Sequence, residues 1–199
     1  MKLSEYVALP GQPGLGTNYI AGRYYPVVGT GLCSSNFATR AGSANIADLS
    51  PWIPRRTFTP STLGIVPTTG GAGAAGKILV YSADADGWPD ALIYDSGSLN
   101  LNVGTATHLS AANTVTFSAG SVYWVGVQFD STAATLRTIV QTLVLDIGGL
   151  GTSPIAAGLS TLVRRTGLTF ASPPNPWGGL ASSTVVVLDL PWLVIGLAP

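Results

Sequence analysis

Charge is what this sequence has least of. Only 9% of its 199 residues are charged, against about 25% in typical soluble domains. Nine acids and nine bases cancel, so no net field draws the chain to nucleic acid or to an anionic membrane. Glu5 is the only glutamate, and Lys2 and Lys77 are the only lysines, so the strong charged helix formers are nearly missing. Cys33 stands alone, which excludes an intrachain disulfide and fits folding in a reducing cytoplasm. It reads as a buried structural thiol. His108 is the only histidine, so there is no His/Cys metal set. Any Ser/His/Asp catalysis would depend on one His in a polar loop. Gly-x-Ser-x-Gly and phosphate-loop patterns are absent. The N-terminal MKLSEYVALPGQPGLG lacks the continuous apolar stretch of a signal peptide. The run 184-TVVVLDLPWLVIGLAP-199 is broken by Asp189 and Pro191 and is too short to span a bilayer. It reads as a strand, a bend and another short strand. No membrane insertion, cofactor or enzymatic activity is expected.

Glycine (25) and proline (14) are plentiful and punctuate the chain. From Pro51 onward, β-branched and aromatic runs alternate with turn residues at intervals of about ten residues, roughly eight short strands in all. They include 62-TLGIVPTT-69, GKILVY from Gly76, ALIYD from Ala91, 112-ANTVTFSAG-120, 121-SVYWVGVQFD-130 and 184-TVVVLDL-190. The segment 134-ATLRTIVQTLVLDIGG-149 fits helical spacing, but its β-branched density favours a strand. The stretch 171-ASPPNPWGG-179 must be a loop, since three Pro and two Gly exclude regular structure. The expected class is all-β: an antiparallel, jelly-roll-like β-sandwich over residues 51–199. Residues 1–50 show no sustained period and read as an extended N-terminal arm for docking or oligomer contacts. Within the arm lies the aromatic cluster 19-YIAGRYYPVVG-29. Its Tyr19, Arg23, Tyr24 and Tyr25 are the expected partner-docking residues. A mean hydropathy of +0.40 with so few charges suggests that much surface is covered by partners, since a free monomer keeps its exterior charged.

The turn 84-DADGWPD-90 admits two readings. Asp84, Asp86 and Asp95 occupy positions 1, 3 and 12 of a Ca²⁺-loop spacing, but Trp88 fills position 5 and no helices flank it. Asp-Gly followed by Pro is the simpler signature of a hairpin turn, and this reading is preferred. Arg55-Arg56 and Arg164-Arg165 could pair with acids of a neighbouring chain, where arginine suits interface ion pairs, or be solvated surface pairs. Trp88 and Trp177 sit beside Pro in expected loops. They either cap the sandwich core or stack on a ligand such as a glycan.

The succession from 51-PWIPRRTFTP through 76-GKILVYSADADGWPDALIYDSGSL-99 to 113-NTVTFSAGSVYWVGVQFD-130 resembles a module of tailed-bacteriophage virion proteins: tail fibres, head fibres and capsid decoration proteins. The matching elements are Phe58 to Pro60, Leu63 to Ile65 with Thr68-Thr69, Gly73 to Gly76, Tyr81, Asp86 to Pro89, Leu92 with Asp95 and Gly97, and Gly120 with Tyr123-Trp124. Pro67 departs from the pattern, where a β-branched residue is usual. The "RYYP" at 23–26 is similar to N-terminal stretches of such proteins, and residues 131–199 carry no match. The resemblance implies a jelly-roll-like sandwich shaped like a carbohydrate-binding module, without enzymatic activity. It also implies a homo-oligomer, a trimer, on the particle surface, assembled in the host cytoplasm and contacting other capsid or tail proteins. A host-surface glycan is a possible ligand, making a receptor- or glycan-binding module the alternative function.

Overall fold

A computed structural model describes residues 24–26, 37–54, 56–103, 109–139, 162–186, 190–191 and 193–196. Among these residues the protein is all-β, with antiparallel ladders and a single 3-10 turn at Leu180–Ser182. The first sheet joins β1 (Tyr24–Pro26), β15 (Leu193–Gly196), β4 (Thr62–Ile65) and β9 (Leu109–Ala112), in that order. A second group pairs β10 (Tyr123–Phe129), β6 (Ala75–Ala83) and β7 (Pro89–Asp95), with β8 (Leu99–Asn100) also on β6. The ladder β13 (Thr184–Val186), β12 (Leu162–Arg165) and β3 (Ile46–Trp52) lies beside it, because β3 runs along β10. The last sheet joins β14 (Leu190–Pro191), β11 (Thr135–Ile139) and β2 (Phe37–Ala41), with β5 (Pro67–Thr69) also on β11.

The period-2 alternation of a strand explains how β6 and β10 serve two cores at once. Ile78 and Val80 of β6, with Tyr123, Val125, Val127 and Phe129 of β10, face one core. Leu63 and Ile65 of β4 and Leu136 of β11 close that core from the opposing sheets, which makes the fold a β-sandwich. Leu79, Tyr81 and Trp124 face the other way into a second core with Ala47, Leu49 and Val163. All seven residues of β10 are therefore buried. The second core is roofed by a loop rather than a sheet. Leu168 and Trp177 pack into it, and hydrogen bonds tie the loop to the sheet face. The Tyr81 hydroxyl donates to the Pro174 carbonyl at 2.9 Å, and Gln128 Nε2 donates to Thr169 at 3.2 Å. Where β3 crosses β10, Gly126 is required. A methyl group there would overlap the Asp48 carbonyl oxygen.

Three expectations change. The boundary expected after residue 50 falls inside β3, whose Ala47 and Leu49 are fully buried. Residues 37–41 and 46–50 are thus sheet, not arm, and Ile46 to Leu49 supply a core strand that composition alone hides. The stretch 62–69 is two strands in different sheets: Pro67 starts the second, and Val66 accepts from Arg137 N–H at 2.8 Å between them. Around 112–120 only β9 at its start and an isolated Phe58–Phe117 bridge form, since the Asn113 side chain bonds to Pro60 and Val115 instead. The strand reading of 134–149 holds for β11, and residues 140–149 lie outside the described residues.

Candidate functional site

The β6–β7 turn is built by Asp84. Its Oδ1 accepts the N–H of Asp86 at 2.9 Å and of Trp88 at 2.8 Å. Its own N–H donates to the Trp88 carbonyl at 2.8 Å. Gly87 takes φ +87°, a left-handed conformation open to glycine without strain, and donates to the Asp84 carbonyl. The side chain of Asp84 thus does locally what a backbone carbonyl would do in a regular turn. The turn is then fixed to β10: the Trp124 indole donates to the Gly87 carbonyl at 2.8 Å. Trp88 lies nearly parallel to Trp124, with ring centroids 6.1 Å apart and planes at 19°.

A cleft of about 210 Å³ opens against this turn. Pro51 near the end of β3 and Ile53 just beyond it form one wall, and Val122 just before β10 forms another. Trp88 and the 2% exposed Trp124 line it, and Asp86-Gly87 make the lip. Ile53 is 43% exposed, one of two large hydrophobic residues so exposed among the described residues. Among the described residues Asp86 is the only ionisable group of the lining. The cleft thus offers apolar contact and one anionic acceptor. A second, more polar depression of about 490 Å³ lies across Gly87 and Val122, lined by Ser82, Asp84, Ser121 and Tyr123 among others.

The sequence-predicted residues separate. Asp84 and Asp86 share the turn. Asp95 ends β7, where Oδ2 accepts from Lys77 Nζ at 3.0 Å and Oδ1 from the Gly97 N–H at 2.8 Å. Among the described residues no three His, Cys, Asp or Glu side chains converge as a metal set. Trp88 reaches the cleft, whereas Trp177 is 0% exposed and offers no face to a ligand. Trp177 stands edge-on to Tyr81 at 5.1 Å and donates through Nε1 to Ser183 Oγ at 2.6 Å. Its backbone N–H bonds to the Asp90 carbonyl at 2.7 Å. Tyr24 and Tyr25 pair through β1 with Gly196 and Ile195. Tyr19, Arg23, Cys33, Arg55 and His108 lie outside the described residues.

Arg164 and Arg165 are engaged within the chain. Arg164 grips Asp48 with two hydrogen bonds of 2.7 and 2.9 Å, and Arg40 pairs with the same carboxylate. That hydrogen bonding raises the Arg164 pKa against the opposing pull of burial. Arg165 donates to the Trp177 carbonyl and lies over its ring. Sequence reasoning missed Asp48, which is only 3% exposed. The available signal was a lone acid inside the apolar run 46-IADLSPW-52. It also missed Ile53, Asp86 and Trp124 as cleft residues. These come from three separate segments: Ile53 arrives through the β3–β10 contact, and Asp86 through the turn that Trp124 holds at Gly87. Burial pushes the Tyr94 hydroxyl up to about 12, with Asp95 adding to the effect, and burial likewise raises Tyr81.

Comparison with known proteins returns no matching family and no matching curated sequence.

Proposed function

We propose that this chain is a non-enzymatic structural subunit displayed on the exterior of a tailed-bacteriophage particle, as a capsid decoration, head-fibre or tail-fibre protein. In this reading it is a jelly-roll-like sandwich, assembled in the host cytoplasm as a trimer, with its N-terminal residues anchoring it to other virion proteins. The observation that carries the reading is the ordered set of motifs along residues 51–130, whose apolar members are shared between the two cores. Leu63, Ile65, Tyr81, Tyr123 and Trp124 are all buried, and Asp86 to Pro89 make the turn that packs on Trp124. Scarcity of charge across the whole chain supports it, because a subunit held among neighbours needs less repulsion to stay soluble.

Since β1 belongs to the first sheet, the anchor is best assigned to residues 1–23. Full-length chain is expected in purified particles, and light scattering of the free protein should give three times 20.3 kDa. Chain lacking residues 1–23 should fold yet be missing from particles. Particles devoid of the full-length chain would overturn the subunit reading. Normal loading of the shortened chain would overturn the anchor alone.

A further inference from the structure

We propose that the cleft beside Trp88 receives an arginine side chain carried by a partner protein. Its walls, Pro51, Ile53 and Val122, are aliphatic, and its lip holds one carboxylate with no cation in the lining among the described residues. That pattern matches a long side chain with an apolar stem and a positive head. The hairpin's acids differ in availability. Asp84 is occupied by two backbone N–H groups and Asp95 by Lys77 and Gly97. The Asp86 carboxylate is exposed and accepts no hydrogen bond among the described residues.

Trp88 is backed by Trp124, so its ring is held in place before any ligand arrives. A guanidinium can stack on an indole face and bind a carboxylate through two parallel N–H groups, which an ammonium cannot do. The stem would cover Ile53, whose exposure otherwise leaves apolar surface in water. A volume of about 210 Å³ suits one side chain, since sites for drug-sized molecules run from about 300 to 1,000 Å³. A neutral sugar could stack on the same indole but would find Asp86 as its single carboxylate acceptor and leave that charge unpaired, and an acidic ligand would meet Asp86 as a like charge. The site stands on its own geometry and does not depend on the particle reading.

The test is a titration of the full chain followed by the Trp88 indole N–H signal in ¹⁵N NMR. The probes are acetyl-Leu-Arg-Leu-amide, the same peptide with neutral citrulline in place of arginine, and maltotriose. The arginine peptide should shift the signal and saturate on the order of 1 mM, as a single-side-chain contact does. Citrulline should weaken binding about tenfold, and so should Asp86→Asn, each removing one charged partner of the pair. Raising salt from about 20 to 300 mM should weaken the arginine peptide several-fold. The Asp86 side chain holds no part of the turn, so Asp86→Asn should melt with the wild type. Equal binding of the citrulline peptide, a shift with maltotriose alone, or no shift with any probe would overturn the proposal.

Discussion

Trp88 and Trp177 have the same local context, an indole beside proline and glycine in a connecting segment, and opposite fates. The loop around Trp177 folds down on the second core, so its indole finds Tyr81 beneath it and Ser183 for its N–H. The turn around Trp88 is too short to fold anywhere. Asp84 closes it in four residues, which leaves Trp88 half-buried on Trp124 at the rim of the cleft. A long loop can become the roof of a core, and a tight turn can only present what it carries. The largest expected effect tests this directly. Trp177→Ala should cost about 3–5 kcal/mol, the range for losing a fully buried large aromatic, read as a fall in the urea midpoint. A loss below about 1 kcal/mol would mean that the loop is not held by its tryptophan.

The two acids behind these regions sharpen the contrast. Asp48 takes Arg164 and Arg40 from separate strands, whereas Asp84 serves only its own turn. Asp48→Ala leaves two cations without their shared anion and should cost about 3 kcal/mol, the low end for a broken buried pair because both arginines are partly exposed. Asp84→Ala should cost about 1–2 kcal/mol, two backbone donors losing their acceptor in an exposed turn. Thermal melts of the pair would rank them, and a reversed order would place more of the fold's stability in the turn than the core. Trp88→Ala should cost only about 1 kcal/mol, mostly the lost ring pair with Trp124.

Smallest at neutral pH is the effect of the tyrosines. Tyr94 is held protonated up to about 12, above its ordinary 10.0, and Tyr81 is shifted the same way. Their contribution is complete below pH 10 and is lost as pH rises through the folded value, because the unfolded chain releases the proton first. Stability should therefore be flat from neutrality to pH 10 and fall beyond it. Tyr94→Phe, which cannot ionise, should fall less steeply. An equal slope would assign the loss to other groups.

The strands with a clear period and bounding turns were legible from sequence: β6, β7, β10 and the pause at 171–179 all lie where alternation and Pro/Gly punctuation put them. The Asp-Gly turn was legible too, because its chemistry is local. What escaped depends on contacts between distant segments. The inclusion of β3 in the core needs β10 beside it, and Asp48 needs Arg164, more than a hundred residues away. The split of 62–69 between two sheets follows from partners in β15 and β11 that no local pattern names. The cleft shares this origin. Trp88 was visible as a loop aromatic, but Ile53 became a wall only because the end of β3 passes the start of β10. Trp177 had the same local signature and a different destination.

The position of β15 constrains how this chain can be made. It is not an edge: Leu193–Gly196 sits between β1 and β4, two of the earliest strands, and pairs with both. A ribosome delivers those neighbours long before residue 193 emerges. Until then β4 has β9 on one flank and an open row of N–H and C=O groups on the other. The nascent protein must carry that unfilled slot until residues 193–196 emerge, and a chain cut at residue 190 lacks the strand that joins β1 to β4. Closure of the first sheet thereby waits on a strand far downstream of the two that it joins.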